Sequence, residues 1–249
     1  MQPKWLSSSW CNIHKSNTPA AQAAGVFFSL EKIGKLCYPD RRVDSIRWKE
    51  SIEMNVLFVN CCIRGEASRT LKLCRTGLEE IQAKYPDAVI EELCLDEEDI
   101  RPLHSDTLGQ RHALEVAGKL DGPMFRYARQ FAAADRIVIG APYWEYQFPA
   151  LLRCWVEHVA VGGLTFVYGE DGRPHGLCRG DRILYITTAG GPILDRNCGF
   201  DYCKTLFSNM MGFTKFDCVA AECMDVIGYP VEEELAKAEA KLRETIRGW

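Results

Sequence analysis

From residue 55 onward, short runs of Val, Ile and Leu alternate with segments whose apolar residues recur at the helical period. Val56–Asn60, Ala88–Leu95, Arg136–Ile139, Arg182–Thr187 and Phe216–Ala220 read as strands. Helices are expected from Ser68 to about Tyr85, over 107–121, over Met124–Ala134 and Pro149–Val161, near Phe200–Met211, and from Val231 to about Ile246. Ser68 is a candidate N-cap, and Leu71, Leu73, Cys74, Leu78 and Ile81 give the first helix one apolar face. Pro149 suits the first turn of its helix and Gly162-Gly163 its end. Continuously apolar strands suit a sheet covered on both faces, and the β–α alternation makes that sheet parallel. Leu164–Tyr168, the turn Gly169–Gly172 and Gly176-Leu177 read as a β-excursion off the sheet, and the acidic stretch Asp96–Asp106 as solvated surface.

Residues 1–53 break the pattern, since Trp5, Ser7-Ser8-Ser9, Trp10 and Cys11 follow one another without a period. They are expected to be an extension outside the fold, with the domain at 54–249. Met54 stands immediately before the first strand, and Lys49-Glu50 can be encoded as AAG-GAG, a bacterial ribosome-binding sequence. The expectation is therefore that the native chain starts at Met54. A secretory signal is the weaker reading, because no small-residue cleavage site cleanly follows Ala20–Leu30.

Composition narrows the classes. At 249 residues with 47% hydrophobic content, the chain can bury one large core. The net charge of -4 gives no electrostatic reason to expect nucleic acid. No apolar run approaches the roughly 18–20 residues that span a bilayer, so no membrane partner is expected. Twelve cysteines form no C-x-x-C pair and no Cys/His cluster. No metal site is expected, and most cysteines suit buried packing in a reducing, cytoplasmic compartment. A redox role for the adjacent Cys61-Cys62 pair is the minority reading.

The candidate chemistry lies in three loops. Ile137 to Pro149 runs from a buried strand into Tyr143, Trp144, Tyr146 and Phe148, at the carboxyl end where open α/β sheets bind ligands. After the first strand, a helix N-terminus offers free N–H groups beside Arg64, Ser68, Arg69 and Thr70, which suits a phosphate monoester. After the fourth strand, Thr188-Ala-Gly-Gly191-Pro192 is a small-residue turn that lets backbone approach a planar ligand. Each has a plain alternative: a helix cap with surface arginines, or aromatic core, above all for Phe148. Convergence of the loops after strands one, three and four favours a bound cofactor, and the aromatic loop is expected to hold the ring of a flavin.

Ala141–Glu157, Gly163–Tyr168, Gly176-Leu177 and Ile186–Gly191, taken in order and spacing, resemble the flavodoxin-like NAD(P)H quinone reductase and FMN-dependent NADH-azoreductase family. The likeness runs from about Met54 to the last helix. It implies an α/β, flavodoxin-like five-stranded parallel sheet of order 2-1-3-4-5 with helices on both faces, usually as a homodimer with non-covalent FMN, FAD being the less favoured flavin. The implied reaction is a ping-pong hydride transfer from NADH or NADPH through FMN to a quinone, azo compound or similar planar acceptor. Carried over by position, the phosphate would sit on Ser68, Arg69 and Thr70, with Cys62 where the azoreductases have serine. The flavin ring would lie between Tyr143, Trp144, Glu145 and Tyr146 on one side and Thr188, Ala189, Gly190 and Gly191 on the other. No side chain is expected to be strictly needed as acid or base.

Three departures stand out. Cys62 is a poorer hydrogen-bond partner than serine. Glu145 stands where the azoreductases have asparagine, and a carboxylate there would disfavour an anionic reduced flavin. Ala189 lacks a side chain that some relatives carry. Two rival readings share the fold: an electron-carrier flavodoxin, and a flavin-free binding or regulatory protein. The excursion Leu164–Cys178 and the helix carrying Trp155 argue against the first.

Overall fold

The computed structural model describes residues 53–249, so the expectations for the preceding segment and for the chain start lie outside the described residues. Five parallel strands form the sheet: β1 (Asn55–Asn60), β2 (Val89–Cys94), β3 (Arg136–Gly140), β6 (Arg182–Thr188) and β7 (Lys215–Ala221), in the order β2-β1-β3-β6-β7. The expected order 2-1-3-4-5 is this order once β4 (Phe166–Tyr168) and β5 (Pro174–Gly176) are set aside. Those two pair antiparallel with each other, as the excursion predicts.

The helices are α1 (Arg69–Lys84), α2 (Ser105–Ala117), α3 (Arg126–Ala133), α4 (Ala150–Val159), α5 (Cys198–Met211) and α6 (Val231–Arg247). Alternate residues of the central strands feed two cores, because successive strand side chains point to opposite faces. Val56, Phe58, Val138, Leu184 and Ile186 pack with Leu71, Cys74, Ile81 and Leu242 of α1 and α6. Leu57, Val59, Ile137, Ile139, Ile183 and Tyr185 pack with Phe131, Leu152, Trp155 and Phe207 of α3, α4 and α5. Burial on both faces accounts for the unbroken apolar runs of the central strands.

Helix ends depart from the sequence expectation where tertiary groups intervene. The helix expected over 107–121 stops at Ala117, because Gly118 turns left-handed at φ 68°. The one expected over Met124–Ala134 begins as a tight 3-10 turn, Pro123–Phe125, before α3. Pro149 is the N-cap of α4, with extended ψ, rather than a member of its first turn. At the far end, α4 finishes at Val159 before the glycines are reached. Buried Arg111 of α2 binds the carbonyls of Glu157 and Ala160, and Thr165 Oγ1 donates to the Val159 carbonyl. These donors satisfy the open carbonyls that a longer helix would otherwise cover.

Candidate functional site at the carboxyl edge of the sheet

The strands end together at one edge, where the loops after β1, β3 and β6 are tied by hydrogen bonds. Cys61 N–H donates to the Gly140 carbonyl at 2.8 Å, and Ala141 N–H to Ile186 at 3.0 Å. Tyr143 N–H reaches the Thr188 carbonyl at 3.0 Å. The hydroxyls of Thr70 and Thr188 meet at 2.6 Å. One hydroxyl pair thus joins the start of α1 to the end of β6, and one amide joins the aromatic loop to the same threonine.

At the start of α1, Ser68 is the N-cap: its hydroxyl accepts from Leu71 N–H at 3.2 Å. Its backbone N–H closes the preceding 3-10 turn onto Gly65 at 2.8 Å. The N–H groups of Arg69 and Thr70 stand in the first helical turn, where no intrahelical acceptor exists. The Arg69 guanidinium pairs with Asp225 at 2.8 Å, and both side chains are exposed. Arg64 is exposed, with no side-chain partner among the described residues. Cys62 is only 5% exposed. Its thiol turns inward toward the Gly140 carbonyl at 3.6 Å.

The aromatic loop folds back on itself. Trp144 and Gln147 exchange both backbone hydrogen bonds, at 3.1 and 2.7 Å, around Glu145 and Tyr146. Both central residues are left-handed, at φ 51° and 69°, the geometry of a type I′ turn that glycine and asparagine adopt most easily. Trp144 and Tyr146 are 42% and 54% exposed, whereas Phe148 is buried against Tyr202. The packing alternative therefore holds for Phe148 and not for the two exposed rings. Tyr143 presents its ring edge-on to Tyr146 at 6.3 Å and donates its hydroxyl to the Arg196 carbonyl. Desolvation, with Cys198 nearby, pushes the Tyr143 phenol up.

In the loop after β6, Ala189 is buried and joined to Ala221 and Met224 through its N–H and carbonyl. The carbonyls of Gly190 and Gly191 accept from Asp225 and Cys223. A Cβ on Gly190 would meet Asp225 Oδ2 at 2.6 Å, while one on Gly191 would meet nothing within 4 Å. The loop after β7 therefore backs the glycine turn, a role the sequence reading did not give it. No local motif in Glu222–Asp225 could have shown this, because the link runs through backbone carbonyls.

A flavin mononucleotide suits these residues on two observations. The N–H groups of Arg69 and Thr70, at the start of α1, have no acceptor among the described residues, as a phosphate site requires. A Cβ built on Gly191 would meet nothing within 4 Å, in a loop tied to the aromatic one through Tyr143 and Thr188, which leaves the room a planar ring requires. Elsewhere, a cleft of about 660 Å³ lies between α2, α4 and α5, lined by Leu103, Leu108, Arg153, Glu157, Tyr202 and Leu206, and does not include the strand-end loops. Among the described residues there is no group of His, Cys, Asp or Glu that could hold a metal ion.

Known proteins give the same frame. An FMN-dependent NADH:quinone oxidoreductase 2 from Clostridium acetobutylicum is 34% identical over 195 residues, covering 76% of this chain and 96% of that protein. An FMN-dependent NADH:quinone oxidoreductase from Clostridium perfringens is 32% identical over 189 residues, covering 75% and 94%. An azoreductase structure from Bacillus anthracis superposes with a TM-score of 0.69 at 23% identity, over 79% of this chain and 100% of that one. An FMN-dependent NADH-azoreductase from Bacillus anthracis in complex with FMN gives 0.68 at 22%, over 78% and 98%. A family model described as flavodoxin-like fold matches residues 54–246, the span of the whole five-stranded sheet and its helices, and the chain belongs to that family.

Proposed function

We infer that this chain is a flavin-dependent NAD(P)H oxidoreductase that uses FMN to reduce quinones, azo compounds or similar planar acceptors by two electrons. The observation that carries this reading is the meeting of three loops at one sheet edge, held by the Thr70–Thr188 hydroxyl contact and the Tyr143–Thr188 hydrogen bond. Bound FMN would supply the electron transfer, and the protein the binding and the electrostatic setting. The N–H groups of Arg69 and Thr70, with Arg64 beside them, would hold the phosphate. Gly190 and Gly191 would admit the ring to the backbone, and the turn from Tyr143 to Tyr146 would cover its other side. Exposed Trp144 and Tyr146 would form the wall of one opening that the nicotinamide and the acceptor use in succession, a ping-pong order.

The same reading carries a homodimer and a cytoplasmic location. Supporting the dimer is the cleft between α2, α4 and α5, where Leu103, Leu108 and Leu206 lie beside the opposite charges of Arg153 and Glu157. Sedimentation velocity tests it, and a single species of monomer mass would refute it. Among the described residues no helix is long and apolar enough to cross a membrane.

The decisive experiment is the absorption spectrum of the purified protein, followed by chromatography of the acid-released cofactor and an NADH oxidation assay with menadione. About one FMN per chain and menadione-dependent NADH loss are expected. A colourless protein that neither flavin reconstitutes would overturn the proposal. Bound flavin without NADH turnover would reassign the chain as an electron carrier.

A further inference from the structure

The adjacent cysteines Cys61 and Cys62 point to opposite faces of the sheet and belong to different cores. The thiol that faces Cys62 is instead Cys74, in the second turn of α1. Three observations place the two sulfurs together. Both thiols are buried in the same core, where α1 packs on the sheet. The Cys62 thiol also donates to the Gly140 carbonyl at 3.6 Å. A Cβ built on Gly140 would lie 2.5 Å from Cys74 Sγ, so the missing side chain of Gly140 makes the space in which Cys74 reaches the strand end. Both sulfurs therefore lean on one glycine, at the point where β1 passes into the loop before α1.

We propose that Cys62 and Cys74 form an oxidisable dithiol, converted to a disulfide by hydrogen peroxide, and that this bond weakens cofactor binding at the loop Cys62 opens. The second half rests on the flavin reading above. The two thiols are unequal in the way such chemistry needs. Hydrogen bonds from Cys74 and then Ser68 hold the Cys62 thiol below its ordinary range against the effect of burial. Burial, first of all, pushes Cys74 well above it. Cys62 is thus the nucleophile and Cys74 the resolving thiol. Cys61, buried on the other face and pushed up to about 12 by desolvation, is excluded from both roles.

The reaction balances with one peroxide. The Cys62 thiolate sulfur attacks a peroxide oxygen; the O–O bond breaks, a sulfenic acid forms, and the departing hydroxide takes a proton to become water. Cys74 sulfur then attacks Cys62 sulfur. The S–S bond forms, the S–O bond breaks, and the Cys74 proton leaves with the hydroxyl as a second water. Two thiols lose two electrons in all, both taken up by the one peroxide.

Joining the sulfurs draws them to a bond of about 2.05 Å. Cys62 anchors the loop through its N–H on Asn60 Oδ1 at 2.9 Å and through its carbonyl, which accepts from Gly65 N–H at 2.9 Å. Pulling Cys62 toward α1 strains both contacts, and with them the approach to the N–H groups of Arg69 and Thr70.

The test treats the full chain with peroxide, alkylates the remaining thiols under denaturing conditions, digests with trypsin and maps the peptides. Expected are loss of two of the twelve thiols and a cross-link between the peptide ending at Arg64 and Leu73-Cys74-Arg75. The cross-link is reversed by dithiothreitol and absent in Cys74→Ser. In parallel, FMN affinity measured by fluorescence titration should fall at least about 10-fold on oxidation in the native chain and not in Cys74→Ser. Native chain that keeps all its thiols, or whose Cys62 passes to sulfinic acid without cross-linking, overturns the dithiol. A cross-link that leaves FMN affinity unchanged overturns the proposed effect on the loop. A cross-link in a chain that binds no FMN in either state upholds the dithiol and removes the flavin reading instead.

Discussion

Replacing Gly140 by alanine tests the packing on which the site is built. Gly140 ends β3, directly before the aromatic loop. An added Cβ would lie 2.5 Å from Cys74 Sγ and 3.1 Å from Phe58 Cε2, and both of those side chains are fully buried. Neither can swing into solvent, so the methyl must be met by shifts in the core. Overpacking of this kind costs about 1–3 kcal/mol. Gly140 is not in the left-handed region, so alanine is sterically allowed there and recovers about 0.4–1 kcal/mol through the unfolded chain. The net expectation is a loss of about 1–2 kcal/mol, or a fall in melting temperature of roughly 3–6 °C for a domain of this size. Urea denaturation of Gly140→Ala, Cys74→Ala and the double variant measures it as a cycle. Removing the sulfur removes the shorter contact, so Gly140→Ala should be close to neutral in the Cys74→Ala background. A cost that is the same in both backgrounds, or no cost in the native chain, would refute the claim that Gly140 is the space Cys74 occupies.

Three other consequences are open to measurement. Thr188→Val leaves the buried Thr70 hydroxyl without its 2.6 Å partner, and should cost about 1–3 kcal/mol in urea and loosen FMN in a fluorescence titration; unchanged values in both would disconnect this pair from the site. Glu145→Asn puts a residue that tolerates the left-handed region at φ 51°, and should add about 0.5 kcal/mol by calorimetry while raising the midpoint potential of bound flavin. Partial burial acts to raise the Asp181 carboxyl, but Lys215, Arg136 and Arg182 outweigh it and hold the group below its ordinary 3.8. Its contribution to stability is then present above about pH 3.8 and lost as pH falls further. The difference in urea midpoint between the native chain and Asp181→Asn should therefore shrink from pH 6 toward pH 3, and a gap that is constant with pH would contradict it.

The strand runs, the helix period, the β-excursion and the three strand-end loops are legible from local order, because side-chain periodicity and Gly, Pro and Ser placement act over a few residues. Val56–Asn60 and Arg182–Thr187 fell within one residue of the observed strands for that reason. What local order could not contain is which distant groups meet. Arg69 reads as a phosphate ligand by position, yet its guanidinium is paired with Asp225, 156 residues away. Two glycines predict the end of α4, but Arg111, 46 residues before Glu157, satisfies its last carbonyls first. Cys61-Cys62 reads as a pair in sequence, and the chain leaving β1 turns them to opposite faces, Cys62 falling in the core that also holds Cys74 of α1. Period and turn chemistry determine elements one at a time; the pairing of charges, caps and thiols is decided by the sheet that brings separate elements into contact, and no residue type announces its partner in advance.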